Sequence, residues 1–237
     1  TTPFNILAIP SIVPAGSVSI FNMNGYHVSC YGAADGSITA SATGGTGGTA
    51  AFTYSLDGIT YQSSNLFSGL TAGIYDVYYK DANGCIASEQ LTLNEPPNLS
   101  GSASVNQLVD CYGANTGEIT FLVDPFPNSG VGPYDYSLDS FLTINSGSVF
   151  QNLYGDSIYN VGVEDNNGCQ YFVTVPLAEP SQIIFSDSLS NYNGFQVSCD
   201  AAQDGSIDFI STSGGLGPYE YSIDGGGSFS PLTSFPN

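Results

Sequence analysis

Apolar and polar positions alternate most regularly between Gly69 and Cys85, where Tyr75, Val77 and Tyr79 take turns with Asp76, Tyr78 and Lys80. A period of two puts the first set on one face of a β-strand, turned toward a core. The same alternation returns as Tyr159, Val161 and Val163 against Asn160, Gly162 and Glu164, again followed by a cysteine, Cys169. The two cysteines are 84 positions apart (169 minus 85), so the chain is a tandem array. Between strand and cysteine stand Asp81-Ala-Asn-Gly84 and Asp165-Asn-Asn-Gly168. Asn-Gly between strand-like runs predicts a tight hairpin, with both turn residues at positive φ.

Other segments recur around this unit. Ser17–Cys30 predicts a first strand and a turn at Asn24-Gly25, with Ser188–Cys199 as its counterpart. Ile38, Ala40 and Ala42 answer to Ile119, Phe121 and Val123 on one side of a second strand, so small residues in one copy and large ones in the next imply differently filled cores. Phe52–Gly58, Tyr134–Asp139 and Tyr219–Gly225 predict a third strand, the latter two introduced by Gly-Pro. Phe67 and Phe150 mark a short strand ahead of the corner Leu70-x-x-Gly73-x-Tyr75. That corner is similar to the tyrosine corner of immunoglobulin-like sandwiches, in which the hydroxyl bonds back to upstream backbone. In the second copy Leu153 and Tyr159 remain, but the glycine arrives early as Gly155. Each copy ends on Glu-Pro, at Glu95-Pro96 and Glu179-Pro180, and proline both stops a ladder and stiffens a link. No run has helical period. About seven short strands per ~85 residues is the pattern of a β-sandwich. The expected organisation is residues 1–15 as the end of a preceding module and its linker, modules at 16–96 and 97–180, and a third, cut short, at 181–237.

Charge narrows the possible partners. One lysine, no arginine and 21 acidic residues give a formal net charge of -20. Direct contact with nucleic acid or anionic membrane is excluded, because phosphate recognition needs clustered Lys or Arg. Cations, polar surfaces and neutral glycans remain, and such a surface repels its own copies, keeping a long array soluble. Trypsin has one site, after Lys80. No apolar stretch approaches the ~18 residues of a spanning helix, and any export signal or anchor is expected outside this window.

Taken in order, Cys-x-Gly-x-x-x-Gly-x-Ile, Gly-Gly-x-Gly-Pro-Tyr-x-Tyr-Ser-x-Asp-Gly, Leu-x-Ala-Gly-x-Tyr, Asp-x-Asn-Gly-Cys and Glu-Pro resemble the SprB repeat of Bacteroidota surface proteins across residues 16 to 237. The departures are Ala51-Phe52 in place of Pro-Tyr, the disturbed second corner, and the missing closing half of the third copy. The resemblance implies tandem immunoglobulin-like β-sandwich modules in an extended array. It also implies export by the type IX system, display on the outer membrane, and movement by the gliding machinery through other parts of the protein. The function expected is a length of cell-surface adhesin that attaches to external surfaces or polysaccharide during gliding. The alternative is an array of secreted carbohydrate-binding modules, which a concave aromatic patch on one module alone would favour.

Five cysteines at regular places in such a chain argue for disulfides. The expected pairing is within modules, Cys30 with Cys85 and Cys111 with Cys169, leaving Cys199 for a partner beyond Asn237. Loops of 55 (85 minus 30) and 58 (169 minus 111) residues would each be worth roughly 4 kcal/mol. A pole count keeps a rival open: the loop before the second strand and the hairpin before the last lie at opposite ends of a sandwich, which would join Cys30 to Cys169 of the next module.

Catalysis is not expected. His27 is the only histidine, placed on a strand with no second histidine for a ligand set or triad, and nothing nominates a pair of carboxylates for glycoside hydrolysis. No cofactor is expected apart from calcium, for which Asp81 and Asn83 or Asp165 and Asn167 offer clustered oxygens. Their ordinary role is turn chemistry. Tyr75 and Tyr159 are structural, while Tyr31, Tyr78 and Tyr112 are the tyrosines expected at the surface.

Overall fold

The computed structural model describes residues 10–21, 25–46, 52–125 and 129–236. Pro3 of the leading segment, Asn24 of the first turn and Ala51 lie outside those residues. The chain is all-β, and among the described residues every regular element is a strand. It divides into two compact units. One consists of Thr1–Ser102, Leu122–Ser146 and Gly162–Phe172, the other of Ala103–Phe121, Gly147–Val161 and Val173–Asn237.

The leading segment at 1–15 supplies β1 (Val13–Pro14), and the first repeat holds β2 (Ser17–Val18), β3 (Gly36–Thr39), β4 (Ala42–Thr43), β5 (Thr53–Ser55), β6 (Leu66–Leu70), β7 (Gly73–Lys80) and β8 (Ile86–Leu93). Two three-stranded antiparallel sheets result, β2-β3-β6 and β5-β7-β8, with β1 and β4 as a separate small ladder. Their inner faces meet in one core of Ile38, Ala40, Phe52, Tyr54, Val77, Tyr79 and Leu93 among others. Val77 and Tyr79 are fully buried, on the face that the alternation assigns to the core. Each such apolar side chain contributes on the order of 1.5–3 kcal/mol on burial. The Tyr79 hydroxyl donates to the Glu89 carboxylate, which also accepts the Gly16 amide, so the polar end of this core side chain has a partner.

The second repeat has the same plan. β9 (Gly101–Gln107), β10 (Gly117–Val123) and β12 (Val149–Leu153) form one sheet with β10 in the middle. β11 (Asp135–Ser137), β13 (Ser157–Glu164) and β14 (Gln170–Leu177) form the other around β13. The expected difference in core filling is visible as an exchange of volume between equivalent positions. Where the first repeat has Ala40 just after β3 and Tyr79 on β7, the second has Phe121 on β10 and Val163 on β13, and all four are fully buried.

In the third repeat β15 (Ile184–Leu189), β16 (Ser206–Ser213) and β17 (Ser234–Pro236) reproduce only the first of these sheets. Phe235 pairs with Ile207 as Phe67 pairs with Ile38 and Phe150 with Ile119. The third-strand expectation at Tyr219–Gly225 is not met. Only an isolated bridge, Tyr221 to Ser230, forms there, because the described residues of this repeat hold no long strand in the place of β7 and β13, with which β5 and β11 pair.

Candidate functional site

The chemistry of this chain gathers at the ends of the repeats, in a turn and a loop. The turn is Asp-x-Asn-Gly-Cys. In the first repeat Asp81 Oδ1 accepts the amides of Asn83 (3.0 Å) and Cys85 (2.8 Å), and Oδ2 accepts the Thr46 amide (3.0 Å) and hydroxyl (2.9 Å). In the second, Asp165 Oδ1 accepts Asn167 (2.9 Å) and Cys169 (3.0 Å), and Oδ2 accepts the Val131 amide (3.0 Å). Both aspartates are buried. Burial opposes the charge of Asp81, but these donors outweigh it and hold its carboxyl below the usual carboxylate range. Each carboxylate thus locks its own turn and ties it to the glycine-rich loop. Among the described residues no group of three or more His, Cys, Asp or Glu gathers to hold a metal, and the Asn167 amide donates to the Ser29 carbonyl (3.0 Å). The turn type differs from expectation. Gly84 (φ 86°) and Gly168 (φ 83°) are left-handed, but Asn83 and Asn167 are not among the positive-φ residues, and Gly donates to Asp (3.0 and 2.9 Å). The connection is a type I turn closed by a left-handed glycine, as in longer hairpin loops.

The loop is Cys-x-Gly. Cys30 O accepts Ala33 N (3.0 Å), and Cys111 O accepts Ala114 N (3.0 Å). Gly32 and Gly113 both have φ 72°. Their amides donate to Glu95 Oε2 (2.7 Å) and Glu179 Oε2 (3.0 Å). The glutamates of Glu-Pro therefore clamp the loop of their own repeat, a role that proximity to proline does not signal. His27 is not on a strand. It lies in a bend, where its Nδ1 accepts the Asn94 amide (2.7 Å) and its own amide donates to Asn94 O (2.9 Å), fastening the loop to the end of β8.

These positions decide the disulfide. Cys30 bonds to Cys169, with Cα atoms 5.8 Å apart and a sequence separation of 139. The within-repeat pairing is thereby corrected: Cys85 and Cys111 are unbonded and exposed, as is Cys199. The cause is strand length. His27 and Glu95 pin the Cys30 loop beyond the end of β8, whereas Cys85 immediately precedes its start. Eight residues of strand separate the two by roughly 26 Å, several times the Cα span a disulfide tolerates. The Cys169 turn reaches the loop because it belongs to the next repeat. Closing so long a loop is worth about 5 kcal/mol by chain entropy.

A third motif recurs in all three repeats. Ser55, Ser137 and Ser222 donate to Asp57, Asp139 and Asp224 (2.7, 2.7 and 2.6 Å) and accept the amides of Gly58, Phe141 and Gly226 (2.9 Å each). The side chain of Thr143, then its amide, then Ser137 hold the Asp139 carboxyl down to about 2. Asp57 and Asp224 are held lower still, chiefly by Ser55 and Ser222. Both tyrosine corners form, Tyr75 donating to Thr71 O (2.9 Å) and Tyr159 to Tyr154 O (3.0 Å). Asn152 and Asp156 take left-handed backbone (φ 58° and 48°) where the displaced glycine does not. Tyr31 and Tyr112 are exposed, but Tyr78 is half-buried, its ring lying 3.3 Å from the position of a Cβ on Gly58.

One aromatic hollow, of about 520 Å³, is lined by Phe185, Phe209, Tyr219, Tyr221 and Phe229 of the third repeat. Phe209 and Tyr221 stand where Phe121 and Tyr136 stand in the second repeat, on faces directed to the core. The hollow lies on the inner face of the sheet β15-β16-β17.

Two sheets in each of the first two repeats, with one loop and one turn, define the class, an all-β protein of β-sandwich modules. The family model for the SprB repeat matches residues 27–60 and 196–228, each window running from the Cys30 or Cys199 loop through the Ser-Asp turn. Those two stretches of the chain are similar to the SprB repeat, a resemblance that suggests a cell-surface, adhesin-like protein. Among curated proteins none matches the chain.

Proposed function

We propose that the chain is a load-bearing length of a cell-surface adhesin. Its repeats transmit tension along the polypeptide and attach to external surfaces or polysaccharide, while coupling to type IX export and gliding machinery involves other parts of the protein. The observation that carries this reading is the Cys30–Cys169 bond between successive repeats. Tension on the two ends of the chain crosses from residue 30 to residue 169 through sulfur, so the intervening residues cannot be drawn out. A purely catalytic or ligand-binding array has no need of such a bypass. The acidic surface fits an exposed stalk, since it discourages neighbouring stalks from adhering to one another.

Single-molecule pulling from the two ends tests this. With the bond intact, the 139-residue segment stays hidden, and reduction releases roughly 450–500 Å of additional contour length. Equal contour lengths before and after reduction would remove the mechanical reading. Glycan binding by the isolated third repeat, abolished on mutating Phe209, would favour the carbohydrate-binding alternative instead.

A further inference from the structure

The three unbonded cysteines are of the same two kinds as the bonded pair. Cys111 and Cys199 are loop cysteines, with Ala114 N and Ala202 N donating to their carbonyls (3.0 and 3.1 Å) as Ala33 N does to Cys30. Cys85 is a turn cysteine whose turn repeats the aspartate bonds of the Cys169 turn. What differs is cover. Ser29, Cys30, Asn167 and Cys169 are half-buried at the bonded junction, whereas Asp110, Cys111, Ser198, Cys199, Asn83 and Cys85 are all exposed.

Each exposed cysteine also lines a hollow: about 410 Å³ at Cys111, 350 Å³ at Cys85 and 440 Å³ at Cys199. The lining at Cys111 is informative, because it includes Ile183, Gly215 and Leu216. In sequence these answer to Leu99, Gly130 and Val131 of the preceding repeat, the residues on which the Asp165 turn is seated: Val131 N donates to Asp165, and a Cβ on Gly130 would meet Leu99 at 2.7 Å and Asp165 at 3.1 Å. The Cys111 hollow thus has the lining of a seat for an Asp-x-Asn-Gly-Cys turn.

We infer that Cys111 and Cys199 are receptors for the turn cysteine of another repeat of this kind, and that Cys85 is such a turn cysteine, made to bond a loop cysteine. The asparagine two positions before the turn cysteine guides the docking by donating to the carbonyl before the loop cysteine, as Asn167 does to Ser29. In bonding, the two thiols lose two protons and two electrons to a disulfide-bearing oxidant, which is reduced to two thiols, and one Sγ–Sγ bond forms. The inference stands apart from the adhesive role, since it concerns only which cysteines recognise each other.

The test uses the chain itself in a mixture of oxidised and reduced glutathione, with Cys85 of a second copy as the probe. Intermolecular links are mapped by mass spectrometry after non-reducing digestion. Links from Cys85 to Cys111 or Cys199 are expected to exceed like-with-like links, 85–85, 111–111, 199–199 and 111–199, by about tenfold, the factor one net hydrogen bond supplies. Asn83→Ala is expected to remove most of that preference while leaving Cys30–Cys169 in place. An even mixture of links, glutathione adducts alone, or a preference unchanged in Asn83→Ala would each overturn the inference.

Discussion

The Asp165 turn and the Asp81 turn are the same object in two settings. Both make the two amide bonds to Oδ1, both bury the aspartate, and both end in a cysteine before an eight-residue strand. One is half-covered and bonded to Cys30, the other exposed and unbonded. The shape of the turn is therefore local, written in five consecutive residues, while its covalent fate is set by what a neighbouring repeat presents. A module can be built to one recipe and still differ in stability according to its place in the array.

The sharpest way to break this comparison is to remove the bond. Cys30→Ser or Cys169→Ser is expected to lower stability by roughly 4–5 kcal/mol, whereas Cys85→Ser and Cys111→Ser should each change it by less than about 0.5 kcal/mol. Denaturant melts of the four variants, with and without reductant, measure the contrast, and equal losses in all four would refute it. Next in size is Asp165→Ala, which strands three amide donors, that of Val131 buried, and is expected to cost about 3 kcal/mol. Asp81→Ala should move the same way even though its cysteine is unbonded, showing that the turn and not the disulfide is what aspartate holds. Calcium titrated into the unmutated chain should leave the melting temperature in place, because these carboxylate oxygens already have donors.

A smaller effect compares the corners. Tyr75→Phe and Tyr159→Phe are each expected to lose about 1 kcal/mol in thermal or denaturant melts; a loss only at Tyr75 would mean that the early glycine of the second repeat weakens its corner. The smallest concerns acid. Asp139, Asp57 and Asp224 all titrate below the usual aspartate range, so their contribution is complete above the unfolded value of about 3.9 and fades as pH falls toward 2. Asp139→Asn should flatten stability against pH over that window, and a slope unchanged in the variant would assign the acid sensitivity elsewhere.

Much of the fold was legible because it is local. The alternation put Val77 and Tyr79 in the core and Tyr75 against its edge, and Phe67 and Phe150 marked β6 and β12. What misled the reading was also physical. His27 has strand-like neighbours, but its imidazole is engaged by Asn94, a partner 67 positions away that no window of residues reveals. Glu95 and Glu179 read as punctuation beside proline, yet their carboxylates clamp loops 63 and 66 residues upstream. Proximity along the chain made Cys30 and Cys85 look like partners. The pole count that kept Cys30–Cys169 open was the sounder guide, and the eight-residue length of β8, with one cysteine beyond each end, makes it decisive.

The bonded junction has one more consequence. A loop on one side and a turn on the other are different surfaces, so the contact is not its own mirror and cannot be satisfied by a two-fold axis. Joined in this manner, repeats acquire a sense of direction, as the teeth of a ratchet do, and a module inserted backwards finds nothing to engage.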